Sequence, residues 1–174
     1  MFMNITFIQS GGTIDKNYPT RAGSYAFEIG EPAVTEILEI VKPNFSYKIL
    51  SALKKDSLDI TNFDREKIFK TVLNLKFRKI IVTHGTDTIL KTAERLAVIK
   101  NKVIILTGAR VPYKFRDSDA MFNIGVAVGA INQLDFGVYV AMSGRVYFWN
   151  ECQKEVNSGV FFQTNENYIA KSVN

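Results

Sequence analysis

The sequence predicts an α/β protein, a single domain spanning residues 1–174 with an open, mostly parallel sheet covered by helices on both faces. Three observations carry that prediction. Short β-branched runs alternate along the chain with stretches of helical apolar spacing, which implies right-handed crossovers between parallel strands. The chain has 174 residues, a length that suits one domain. Its 47% hydrophobic and 22% charged residues are the balance of a chain that buries a core without a disulfide or metal staple.

Taken in order, Asn4 to Gln9 is a strand that stops at the turn Ser10-Gly11-Gly12. Residues 15–32 hold Pro19, Gly23, Gly30 and Pro32 among polar residues and read as a long loop, a kind of segment that is usually functional. Pro32 opens a helix through Val34, Ile37, Leu38 and Val41 that Pro43 ends. Tyr47 to Leu53 reads as a strand and Lys54 to Asn62 as a polar connector. Thr61 and Asp64 then make a capping-type start for a helix carrying Ile68, Val72 and Leu75. Lys79 to Thr83 is a buried strand, and Ile89, Leu90, Ala93, Leu96 and Ala97 form a helical stripe. Lys102–Thr107, Ser118–Ile131 and Gly137–Met142 read as strand, helix and strand. The aromatic tail after Gly144 carries no clear pattern.

Composition excludes several classes of function. The formal charge of +5 comes from scattered basic residues and is no nucleic-acid footprint. Cys152 is the only cysteine, so no internal disulfide forms, and His84 is the only histidine, so the two cannot make a structural zinc site. A single histidine also leaves little room for the usual serine or cysteine hydrolase chemistry, so a nucleophile here depends on a lysine or carboxylate. No basic leader with a cleavage site and no bilayer-length apolar run is visible, and a cytoplasmic protein without metal or organic cofactor is expected.

In parallel sheets ligands bind beyond the carboxyl ends of the strands. That selects the loops after Gln9, Leu53, Thr83 and Thr107. In the first, Gly11 and Gly12 let the backbone approach a ligand while Thr13 faces it; alone, the motif reads first as a tight turn. It lacks the lysine of a phosphate loop and the spacing of a dinucleotide loop. In the third, His84-Gly85-Thr86-Asp87-Thr88 joins a buried strand to a helix. Asp87 or Thr88 could simply cap that helix, but capping leaves two threonines and an acid around one glycine unexplained. A catalytic threonine needs a nearby base, and Asp87 with a lysine could supply one. Ser57 reads as a turn hydroxyl, Tyr18 as a loop aromatic, Lys154 as a surface charge and His84 as a structural hydrogen-bonding residue when each is judged alone.

Together, Gly11-Gly12-Thr13-Ile14 and His84-Gly85-Thr86-Asp87-Thr88 resemble the bacterial-type L-asparaginases, the asparaginase/glutaminase family, with flavodoxin-like layering in the N-terminal domain. Gly30-Glu31-Pro32-Ala33-Val34, Asp56-Ser57-Leu58-Asp59, Leu106-Thr107-Gly108-Ala109 and Ser118-Asp119-Ala120 with Asn123 extend the similarity from Ile5 to about Asn132. The resemblance implies hydrolysis of L-asparagine to L-aspartate and ammonia. Thr13 is then the nucleophile forming an acyl-enzyme, with Tyr18, or Tyr25 as the second contender, as the loop tyrosine. Thr86, Asp87 and a lysine, taken as Lys154, form the second catalytic group. Ser57 and Asp87 hold the substrate's α-carboxylate and α-amino group, and backbone near Gly12 and Gly85 stabilises the oxyanion.

Usual family members also carry a C-terminal domain, and the resemblance implies a short form without it. A homodimer or higher homo-oligomer is expected. The alternatives are a glutamine-hydrolysing amidase that supplies ammonia to a partner and a non-catalytic amino-acid-binding or regulatory module.

Overall fold

The structure is a computed structural model and describes residues 4–20 and 26–165. Six strands form one sheet in the order β4-β1-β5-β6-β7-β8. These are β1 (Asn4–Gly11), β4 (Ser46–Lys55), β5 (Lys79–Thr83), β6 (Val103–Thr107), β7 (Gly137–Met142) and β8 (Arg145–Phe148). All neighbours are parallel except β7 and β8. Two short strands, β2 (Lys16–Asn17) and β3 (Glu28–Ile29), pair antiparallel at the base of the long loop. The helices are α1 (Ala33–Val41), α2 (Asn62–Leu73), α3 (Ile89–Leu96) and α4 (Ala120–Ala130).

The central strands are buried on both faces, so they read as continuous apolar runs rather than alternating ones. Their side chains still divide with period two. Ile80, Val82, Ile104, Leu106, Val138 and Val140 face one core with Ile68 and Val72 of α2 and Ala93 and Leu96 of α3. Ile5, Phe7, Ile81 and Ile105 face the other with Val34, Ile37 and Leu38 of α1 and Ile124 and Ala127 of α4. Helices therefore cover both faces, as the sequence predicts. Each fully buried aliphatic side chain contributes roughly 1.5–3 kcal/mol.

Three differences from the sequence reading have physical reasons. Lys54 and Lys55 belong to β4 rather than to a connector. This is an edge strand, and lysines are the residues an exposed edge favours. A 3-10 turn, Ser57–Asp59, follows it. The Thr61–Asp64 capping box forms as expected, but its helix ends at Leu73, short of Leu75. The aromatic tail is ordered into β8, β9 (Cys152–Lys154) and β10 (Phe161–Gln163). β8 returns on β7 through Ser143 and Gly144, both at positive φ (52° and 85°), the conformation of a two-residue hairpin turn. Serine is costly there, and the side chain of Asn123 holds it by accepting the Ser143 N–H at 3.0 Å.

Candidate active site

The carboxyl ends of β1, β4 and β5 release three loops whose backbones touch. Gly12 sits at φ 88°, in the left-handed region, and a Cβ there would lie 2.2 Å from the Gly85 nitrogen. A Cβ on Gly85 would in turn lie 2.6 Å from Ser57 Cβ and 2.7 Å from Ser57 Oγ. No side chain fits in either place. The glycines bring Gly12, Ser57 and Gly85 together, and Thr13 and Thr86, each one residue further on, flank that contact.

Other bonds hold the loops in register. The Gly12 N–H donates to the Lys55 carbonyl at 2.9 Å. Thr13–Asp15 forms a 3-10 turn. The Thr88 hydroxyl makes no cap bond; it donates to the Ser57 carbonyl at 2.7 Å and ties the second loop to the third. Capping is thus not the use to which this motif's hydroxyls are put. Thr13 is half-buried and Ser57 buried. Among the described residues neither hydroxyl has a protein hydrogen-bond partner, which leaves both available to a ligand.

Lys154 arrives from the far end of the chain. β9 pairs with β10, Lys154 opposite Phe161, and Phe161 and Cys152 are buried in the same core as α3. The Tyr147 hydroxyl donates to the Phe161 carbonyl at 2.8 Å. The intervening turn is closed by the Glu155 carboxylate, which accepts backbone N–H groups from Asn157 and Ser158; the Ser158 hydroxyl first, and then these two bonds, hold its carboxyl down at about 2. So fixed, Lys154 Nζ donates to Asp87 Oδ1 at 2.6 Å and to Thr86 Oγ1 at 2.9 Å. The Thr86 hydroxyl accepts from the lysine, so its own proton is free to point elsewhere.

His84 takes the structural role that its residue type suggested. Burial pushes its imidazole down to about 4, so it is neutral at pH 7, and the nearby Arg65 charge adds to that. A carbonyl can only accept, so Nδ1 carries the proton to the Gly85 carbonyl at 2.8 Å and Nε2 accepts from the Thr92 hydroxyl at 2.8 Å. Tyr18 is 68% exposed and packs on Phe27 and Phe115, with ring centroids 5.5 and 5.9 Å away. Tyr25 lies outside the described residues.

Two organising residues carry no sequence-derived role. Asn123 donates to the Gly108 carbonyl and to Asp119 while accepting from Ser143, which joins the loops after β6 and β7. Its place in an otherwise apolar helix was the available signal. Asp15 accepts the Ala33 N–H at 2.8 Å, its carbonyl accepts the Gly30 N–H at 2.8 Å, and its own N–H reaches Gly12. Burial raises its carboxyl to about 7, against the Ala33 bond. Among the described residues no group of histidine, cysteine, aspartate or glutamate could hold a metal ion, and no helix is long and apolar enough to cross a membrane.

An open, mostly parallel sheet with threonines, a serine and a lysine–aspartate pair gathered at its carboxyl end defines the α/β class and the place of the candidate site. The chain belongs to the asparaginase family: residues 4–173 match the family described as "Asparaginase, N-terminal". It is 34% identical over 149 residues to a glutamyl-tRNA(Gln) amidotransferase subunit of Methanococcus vannielii, covering 82% of this chain and 35% of that protein. It is 26% identical over 166 residues to a glutaminase-asparaginase of Pseudomonas aeruginosa, covering 88% of this chain and 46% of the relative. The crystal structure of L-asparaginase I from Vibrio cholerae superposes with a TM-score of 0.80 at 22% identity, over 94% of this chain and 52% of that one, a likeness of fold. This chain thus spans between about a third and half of the lengths of these proteins.

Proposed function

We propose that this chain hydrolyses the side-chain amide of L-asparagine, giving L-aspartate and ammonia through a threonine-bound acyl-enzyme, in the cytoplasm and without metal or organic cofactor. The observation that carries the reading is the Lys154–Thr86–Asp87 contact. A lysine from residue 154 meets a threonine and an aspartate of a loop more than sixty residues earlier, an arrangement that a binding module does not need.

In this reading Thr13, activated by a loop tyrosine, Tyr18 or Tyr25, attacks the amide carbonyl, and the proton its hydroxyl gives up is passed through the site to the amide nitrogen that leaves as ammonia. Backbone N–H groups beside Gly12 and Gly85 face the oxyanion, each worth about 3 kcal/mol of barrier. The Thr86 hydroxyl, accepting from Lys154, presents its proton outward, the polarity that a departing amide nitrogen requires. Ammonia leaves, and water attacks the ester carbonyl and restores Thr13. Ser57 holds the substrate's α-carboxylate and Asp87 its α-ammonium, while Asp87 also keeps Lys154 in place. The expected assembly is a homodimer, which sedimentation at working concentration checks.

The test is ammonia release from L-asparagine by the wild type beside Thr86→Val and Lys154→Met. Both variants should fold normally and lose turnover at least 100-fold. Unchanged turnover in either removes that residue from the mechanism. The amidotransferase component among the relatives favours a second reading, in which the same site takes glutamine and passes ammonia to a partner. One methylene typically separates such substrates by about 10- to 200-fold, so parallel assays with the two amides decide between the readings.

A further inference from the structure

Arg65, on α2, is a buried cation without a counterion. The residue is 7% exposed, yet among the described residues no carboxylate lies within ion-pair distance of it. Its side-chain bond is from Nη1 to the Asn62 side-chain oxygen at 3.3 Å, and its Nε–H is buried with no acceptor. An aspartate or lysine in such a place could neutralise itself. Arginine cannot, because its guanidinium stays charged at any pH a protein survives. Buried charges are normally paired, so an unpaired one calls for a partner that arrives from outside.

The surroundings say what kind. Arg65 lines a groove of about 580 Å³ between α2 and α3, on the sheet face opposite α1 and α4. Of its other charged walls, Glu66 is occupied by Arg95, whose Nε and Nη2 donate to the same carboxylate oxygen at 2.9 and 2.6 Å. Arg95 is held further by stacking on Phe69, 3.6 Å from the ring centroid. That leaves Lys91 and Glu94, both exposed and neither in an ion pair among the described residues. Two uncommitted cations thus face one uncommitted acid. Arg65 adds to the forces that keep His84 neutral, but none of the three touches a residue placed in the amide-hydrolysing chemistry.

We propose that the α2–α3 groove is a second binding site, for a small oxyanion (a phosphate or a carboxylate group), with Arg65 as the fixed fork at its floor and Lys91 as the mobile charge at its rim. The guanidinium supplies paired planar donors that match such an anion's oxygens, and the cost of burying Arg65 alone is relieved when the anion binds. Glu94 opposes the anion and sets the affinity low. The site is separate from the proposed catalysis, so either can fail without the other.

The experiment titrates inorganic phosphate and, separately, acetate into the intact chain at constant ionic strength. Binding is followed at the Arg65 Nε–H signal in ¹H–¹⁵N spectra, which reports on this groove alone. The signal should move and saturate with at least one probe. Phosphate alone acting assigns a phosphate-bearing ligand, and acetate alone a carboxylate. Lys91→Gln should weaken the dissociation constant several-fold and Glu94→Gln should tighten it several-fold. Both residues are exposed, so these variants test the site even if Arg65→Gln does not fold. No saturable shift with either probe, or dissociation constants that ignore both variants, would overturn the proposal.

Discussion

The two segments that bring catalytic candidates to the Gly12–Ser57–Gly85 contact are built on opposite plans. The hairpin β9–β10 delivers Lys154 on a scaffold anchored by buried side chains, Cys152 and Phe161, and by a turn whose hydrogen bonds close on Glu155. The arm that starts at Asp15 carries Tyr18 just beyond the two-residue strand β2, largely in solvent. Its one buried acid, Asp15, bonds at once to Gly12, Gly30 and Ala33, and beyond it the described residues are held by the Lys16–Asp56 ion pair and by Tyr18 and Phe27 packing on Phe115. A lysine that must meet two fixed partners is held by packing. The described part of the arm is held by one buried acid and by contacts at the surface instead.

The largest effect that would break this comparison is at the shared contact. Gly85→Ala places a methyl 2.6 Å from Ser57 Cβ, so turnover should fall at least 100-fold, measured as ammonia release. Next comes the hairpin's anchor. Phe161→Ala should cost about 3–5 kcal/mol by denaturant unfolding, and with it the Lys154 position. A loss below about 1 kcal/mol would show that the hairpin is held some other way.

Asp15 sharpens the other half. Its folded-state carboxyl is raised to about 7, so native Asp15 keeps a proton that the unfolded chain releases near pH 4, and its contribution to stability is lost as pH rises from 4 to 7. His84, lowered to about 4, runs the other way: the unfolded chain binds its proton first, so stability is lost as pH falls from about 6.5 to 4. The two slopes oppose each other in the wild type. In Asp15→Asn the His84 slope stands alone, so melting temperatures should rise between pH 4 and 6.5 more steeply than in the wild type. Equal slopes in the two proteins would contradict the Asp15 assignment. The smallest effect is at the capping box outside both segments, where Thr61→Ala should cost about 1 kcal/mol by the same unfolding assay.

How much of this was legible follows the same division. β5 and β7 begin and end where their apolar runs do, because central parallel strands are buried on both sides. The two glycine–threonine motifs were legible as loops at the carboxyl ends of strands, and their joint resemblance to the asparaginase family pointed to one site. The tail was not legible, since β9 and β10 have three residues each, too few for a period to show. Their pairing depends on distant partners, such as Tyr147 reaching the Phe161 carbonyl. Asp15 and Arg65 were invisible for a different reason: an acid in a polar loop and an arginine in a charged helix look solvated until burial is known.

The central claim is tested most directly by ammonia release from L-asparagine, wild type against Thr13→Ala, with folding of both verified by melting temperature. The account predicts release by the wild type and none above background from a stably folded Thr13→Ala. Equal release from the two, or no release by the wild type at saturating asparagine and glutamine, would contradict it.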